Sequence, residues 1–153
     1  MKRLLGQFVP QGISVLDIDA TRGIWNYSTA VEEHNSKYYC LDMQVGADYT
    51  PAEIYNWGDS VPHGWDCIIS GQCLEHDKFF WKTLEQISER LKQGGVCIII
   101  VPSKGHEHRY PIDCYRFYQD CGPVFAEIMG CELLHVEWNH ESEWGDLAIV
   151  LQK

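Results

Sequence analysis

Residues 65–103 constrain the fold more than any other part of the chain. The apolar run Cys67-Ile68-Ile69 follows Asp66 and stops at Ser70-Gly71-Gln72. Phe80, Leu84, Ile87 and Leu91 then recur at i, i+4, i+7 and i+11, which is one face of an α-helix. Gly94-Gly95 predicts the end of that helix, because glycine takes the left-handed C′ conformation without a Cβ penalty. Val96 to Val101 is a second continuous apolar run, as expected of a strand covered on both faces within a parallel sheet. The unit is strand, helix, strand.

The flanking segments repeat the alternation, which predicts an α/β sheet. Ile13 to Ile18 is a first strand, preceded by Pro10 and Gly12, and residues 24 to 35 hold a weakly patterned helix. Tyr38 to Met43 is a second strand. Residues 46 to 64 are rich in glycine and proline, with room for a short edge strand near Glu53 to Trp57. Gln119 to Met129 is a helix with Asp120 as N-cap and Pro123 tolerated in its first turn. Leu133 to Trp138 and Leu147 to Leu151 form a terminal strand pair. No repeat, low-complexity tract or linker interrupts the chain, so residues 1–153 read as one domain.

Composition narrows the classes of function. Asp and Glu number 22 against 12 Lys and Arg, a formal charge of -10, and no basic cluster stands above that background. The phosphate-neutralising surface that drives nucleic-acid affinity is absent, so no nucleic-acid partner is expected. No apolar run approaches a membrane span, and the first twelve residues lack the apolar core of a signal peptide. Seven scattered cysteines include Cys40, Cys67 and Cys97 inside apolar runs. That usage fits small buried hydrophobes in a reducing compartment, and the expected location is cytoplasmic. Neither CxxC nor HxxxH spacing occurs, so the histidines and cysteines predict no metal site.

Several strings resemble class I S-adenosylmethionine-dependent methyltransferases. Trp65 to Ser103, with its Leu74-Glu75-His76 and Leu91-Lys92-Gln93-Gly94-Gly95, is similar to the fourth strand, helix and fifth strand of that family. Gly46-Ala47-Asp48-Tyr49-Thr50, the string from Glu107 to Phe117 (EHRYPIDCYRF), and Trp144-Gly145-Asp146 resemble a subgroup of small bacterial and phage members. The resemblance runs from about Val15 to Lys153. It implies a minimal Rossmann-like core: a seven-stranded, mostly parallel sheet with helices on both faces, and Leu147 to Leu151 inserted antiparallel beside the fifth strand. It also implies S-adenosylmethionine as cofactor and methyl transfer to a small-molecule or glycan-type acceptor.

In open α/β sheets the ligand lies beyond the carboxyl ends of the strands, near the switch in strand order. There the family pattern D-I-G-x-G-x-G corresponds to Asp17-Ile18-Asp19-Ala20-Thr21-Arg22-Gly23. Asp17 and Gly23 are kept, whereas Asp19 and Thr21 stand in place of glycines. Asp19 either intrudes on the cofactor or meets its ammonium group. Asp42 follows Asp17 by about 25 positions, near the roughly 20 residues after which an acid takes ribose hydroxyls in related folds. Met43 suits an adenine face, with Trp57 and Asp59 as further adenine neighbours. Ser70, Gly71 and Gln72 end the strand beneath the methyl group.

His76 is a candidate base, since imidazole exchanges protons near neutrality; the plainer account has Glu75 and His76 opening the helix. In the polar string 105–117, His108, Tyr110 and Asp113 are candidates to face the acceptor. There the plainer account pairs Arg109 and Arg116 with Glu107 and Asp113 to hold the loop. Two other functions stay open. A non-catalytic partner-binding module would explain the altered 17–23 loop. A nicotinamide oxidoreductase would need G-x-G-x-x-G after the first strand, which is missing. With little chain left for a lid and many Trp and Tyr in loops, a homodimer is expected to complete the site.

Overall fold

A computed structural model describes residues 1–20, 26–44 and 46–153. In chain order the elements are α1 (Lys2–Phe8), β1 (Ser14–Ile18), α2 (Ser28–Glu33), β2 (Lys37–Leu41), β3 (Trp65–Gly71), α3 (Phe80–Arg90), β4 (Leu91–Pro102), α4 (Cys121–Met129), β5 (Glu132–Asn139) and β6 (Asp146–Gln152). The strands form one sheet in the order β2-β1-β3-β4-β6-β5. β2, β1, β3 and β4 run parallel to one another, and β6 lies antiparallel between β4 and β5. The expected antiparallel insertion of 147–151 beside Val96–Val101 is therefore present.

Each face of the sheet carries its own core. Leu16, Ile68, Cys97 and Ile149 pack under Leu84 and Ile87 of α3 and Phe125 and Met129 of α4. Val15, Cys67, Ile69, Ile98 and Val150 pack on the opposite face with Leu4, Leu5 and Val31, from α1 and α2. Helices thus cover both faces, which is why the central strands are apolar at successive positions rather than alternating. Cys40, Cys67 and Cys97 are fully buried there, and no cysteine among the described residues is in a disulfide.

Three expectations need correction. The sheet has six strands among the described residues, with two of its five pairings antiparallel. The expected edge strand at 53–57 is a turn with a single bridge between Glu53 and Asn56. Its side chains explain why: Trp57 is fully buried and donates its indole N–H to the Ile54 carbonyl at 2.6 Å, folding the segment back on itself.

The second correction concerns α3, which ends at Arg90 rather than at Gly94-Gly95. Leu91 is already extended and pairs with Trp65, so residues 92–95 bulge out before pairing resumes at Val96 opposite Cys67. Gly94 sits at φ +77 in that bulge, and a Cβ on Gly95 would lie 2.9 Å from the Lys92 carbonyl oxygen. Here the glycines serve the bulge. Third, the N-terminal residues form α1, which the sequence pattern did not suggest, with Leu4 and Leu5 buried. α4 begins after Asp120 as expected, although the Asp120 side chain makes no capping hydrogen bond.

Candidate functional site

The chain leaves β1 for β2 on one side and returns to β3 on the other, so the order switches between β1 and β3. The carboxyl ends of these strands bring Asp17, Asp19, Asp42, Ser70 and Gly71 to one edge. Asp17 is buried within β1. Its Oδ2 accepts hydrogen bonds from the Tyr27 backbone N–H at 2.9 Å and the Tyr38 hydroxyl at 3.0 Å. Burial pushes its carboxyl up to about 7 despite those two donors.

Asp19 adopts a left-handed backbone, φ +59. Glycine reaches that region freely, and aspartate is among the few other residues that tolerate it. The position therefore keeps a glycine-like conformation while adding a carboxylate. Burial, and then the charge of Asp42, push Asp19 up to about 6. Asp42 is buried at the end of β2 and accepts a hydrogen bond from the Gln44 N–H at 2.8 Å.

The string 46–50 shapes this corner. Asp48 accepts the Cys40 N–H at 2.9 Å, and the Tyr49 carbonyl accepts the Asp42 N–H at 3.1 Å. Met43 beside Asp42 is exposed, as is Asp59 in the 3-10 turn Gly58–Ser60. Trp57, in contrast, is a core side chain. Gly23 lies outside the described residues.

At the end of β3 the Ser70 hydroxyl is buried without a nitrogen or oxygen partner and faces the Cys73 sulfur. Gly71 carries the Tyr27 ring: a Cβ there would come within 2.3 Å of the tyrosine oxygen. The Tyr27 hydroxyl is pushed up to about 12, first by burial and then by the charges of Asp17, Asp146 and Glu75. Gln72, at φ +55, turns away and donates from Nε2 to Asp146 Oδ1 at 2.7 Å, tying β3 to β6.

Glu75 and His76 do not open a helix. They lie in a turn before α3, which begins at Phe80. The Glu75 side chain is fully buried, neither carboxylate oxygen has a hydrogen-bond partner, and burial pushes the group up to about 8. His76 Nδ1 meets the Ile112 carbonyl at 2.6 Å, and its ring stands edge-on to His108 with centroids 4.7 Å apart. Tyr110 is exposed, with its ring centroid 6.4 Å from that of His76. His76, His108 and Tyr110 therefore converge although they come from two separate segments.

Asp113 belongs to the scaffold of this loop. Its carboxylate takes both terminal nitrogens of Arg116, at 2.6 and 2.8 Å, and the His108 backbone N–H at 2.7 Å. The Arg116 guanidinium holds it well below the usual carboxylate range. Arg109 pairs with Glu107 at 2.8 Å, both side chains being exposed. Trp144 packs over the string from outside, 4.9 Å from the His106 ring and 4.5 Å from that of His108. An open groove of about 300 Å³ follows β4, lined by Ser103, Tyr118, Gln119, Asp120 and Trp138.

The sequence did not single out Tyr27 or Asp146 as site residues, nor Glu75 as a buried acid. Tyr27 carries no local signal, because its role comes from lying across Gly71. Glu75 and Asp146 did stand inside quoted strings, yet only packing shows that one is unpartnered and the other braced by Gln72.

No family model matches the chain, and no curated protein does. Solved structures do match in three dimensions. One is the Burkholderia thailandensis 1,6-didemethyltoxoflavin-N1-methyltransferase with bound 1,6-didemethyltoxoflavin and S-adenosylhomocysteine. It is 16% identical at TM-score 0.74, over 99% of this chain and 76% of that one. A SAM-dependent methyltransferase from Archaeoglobus fulgidus is 16% identical at TM-score 0.73, over 99% and 92%. Another from Mesorhizobium loti is 12% identical at TM-score 0.73, over 99% and 96%. At such identities the likeness establishes architecture: this chain has the fold seen in S-adenosylmethionine-dependent methyltransferases.

Proposed function

We propose that the chain binds S-adenosylmethionine at the carboxyl edge of β1, β2 and β3 and transfers its methyl group to a small-molecule or glycan-type acceptor. The observation that carries this reading is the set of acids at the switch point, Asp17 near the end of β1, Asp19 after it and Asp42 after β2. A carboxylate at the end of β2 suits two ribose hydroxyls, because it accepts from both. Acids around Asp19 suit the ligand's ammonium and sulfonium charges. Ser70 and Gly71 then lie beneath the methyl group, with Met43 toward the adenine. Gly23 would complete the loop.

Methyl transfer is an in-line displacement, so positioning and mild base assistance carry most of the catalysis. His76, His108 and Tyr110 face the acceptor in this reading, and Asp113 positions His108 through its backbone N–H. The exposed Tyr110, Tyr118 and Trp138 offer flat apolar faces to a sugar ring or to a second copy of the chain. A homodimer closing the thinly covered site would appear in sedimentation as twice the chain mass; a monomer at working concentration would sink that part.

The second reading is a partner-binding module that keeps the fold. Tyr27 lying on Gly71 favours it, since a side chain of the protein itself then fills space at the end of β3. Methyl-labelled S-adenosylmethionine, incubated with the chain and fractionated small-molecule and glycan pools, separates the two. Label appearing in one pool supports transfer. Tight cofactor binding with no label in any pool supports the module.

A further inference from the structure

We propose that Glu75, His76 and His108 form a three-ligand site for a divalent first-row transition-metal ion, with zinc as the reference case. Neither CxxC nor HxxxH spacing announces it, because the ligands come from the turn after β3 and from the string after β4. Three-dimensional convergence makes the site: one ligand atom from each residue lies within 4.8 Å of the others. The set of two imidazoles and one carboxylate suits zinc, iron and neighbouring ions, and three protein ligands leave positions open for water or substrate.

Two features separate this cluster from an ordinary polar turn. First, the Glu75 carboxylate is fully buried and both its oxygens lack a hydrogen-bond partner. A buried polar group in that condition calls for an explanation, and a bound ion is one. Arg116 acts on Glu75 through charge alone and donates no hydrogen bond to it, its two terminal nitrogens being taken by Asp113.

Second, the histidines are oriented as ligands are. A carbonyl has no proton to give, so the Ile112 contact at 2.6 Å puts the proton of the neutral His76 ring on Nδ1. That turns the Nε2 lone pair toward Glu75 Oε1, which at 3.6 Å is beyond hydrogen-bond reach. A backbone carbonyl holding the far nitrogen is the usual support of a metal-bound histidine. His108 Nδ1 is likewise buried without a hydrogen bond, although Asp113 Oδ2 lies 3.4 Å off. The His108 side chain is 34% exposed, which leaves the ion a path in from solvent.

An ion here would sit beside Tyr110, and its open positions would take an oxygen or nitrogen of the acceptor; this last clause rests on the methyl-transfer reading. The site itself does not. Chelator-stripped full-length chain is titrated with zinc by calorimetry and with cobalt by visible absorption. One ion per chain is expected, with the cobalt absorption of a low-coordinate nitrogen and oxygen site.

Glu75→Gln, which keeps the side-chain shape, and His108→Ala should each weaken zinc by more than the roughly 10–100-fold that a lost supporting hydrogen bond costs. His106→Ala, a neighbour outside the set, should leave it unchanged. No stoichiometric binding, or equal binding by folded Glu75→Gln and His108→Ala chains, overturns the proposal. If neither variant folds, cobalt spectra of the unaltered chain decide, since absorption typical of fully hydrated ion contradicts it. Zinc binding without S-adenosylhomocysteine binding would keep this site and sink the cofactor reading.

Discussion

Asp17 holds a carboxyl where ionisation is unfavourable. Its folded value of about 7 stands above the unfolded 3.8, because burial outweighs the Tyr27 and Tyr38 donors. A group shifted in that direction binds its proton more tightly when folded. It therefore favours the fold below the unfolded value, and that contribution is lost as pH rises through about 7. Asp17→Asn keeps the acceptor oxygen and removes the titration. The variant should gain in melting temperature over the parent as pH goes from about 5 to about 8, by an amount worth a few kcal/mol at the upper end. A constant difference across that range would show that Asp17 is ionised without strain.

Asp42 and Tyr110 divide the proposed site by function. Asp42→Ala should weaken S-adenosylmethionine binding by about 1.5–3 kcal/mol, the range for a hydrogen bond to a charged group. Tyr110→Phe should slow turnover with cofactor affinity unchanged, because Tyr110 is exposed on the loop after β4. Calorimetry and a methyl-transfer assay read the two separately. Unaltered affinity in Asp42→Ala would remove that residue from the site.

At the scale of elements, the junction between the start of α2 and the end of β3 is closely packed. A Cβ on Gly71 would lie 2.3 Å from the Tyr27 oxygen and 2.5 Å from its Cε2, so Gly71→Ala must displace the ring. The expected loss is about 1–3 kcal/mol of stability, as for other overpacked sites. The same change in a Tyr27→Ala background should cost little, and denaturant unfolding of the four chains reads the coupling. Equal costs in both backgrounds would mean that Tyr27 does not press on Gly71.

The β3–α3–β4 unit was legible because its pattern is local: Leu84 and Ile87 recur at helical spacing, and Ile98 and Ile99 form a run that only a covered strand can bury. Its far boundary was not legible. Gly94-Gly95 satisfies the rule for a helix end, yet Leu91 gains more by pairing with Trp65, and the glycines are used in the bulge that follows. The turn at 53–57 was misread for a related reason. Aromatic residues favour strands, but Trp57 is held by its own indole N–H and by the core.

For the molecule as a whole, topology places the acids at the switch point while packing assembles the rest. Asp42 could be found from its position after an apolar run. The meeting of Glu75, His76 and His108 could not, since it depends on the string after β4 folding back over the turn after β3. Asp113 shows the limit from the other side: it looked like an acceptor-facing acid and proves to be the clamp that Arg116 closes. The same fold-level logic makes cofactor binding the claim on which the functional account stands.

Calorimetric titration of the purified chain with S-adenosylhomocysteine, and in parallel with NAD, tests that claim most directly. The account predicts one saturable site for S-adenosylhomocysteine and no binding of NAD. Absence of heat with S-adenosylhomocysteine, or saturable binding of NAD in its place, would contradict it.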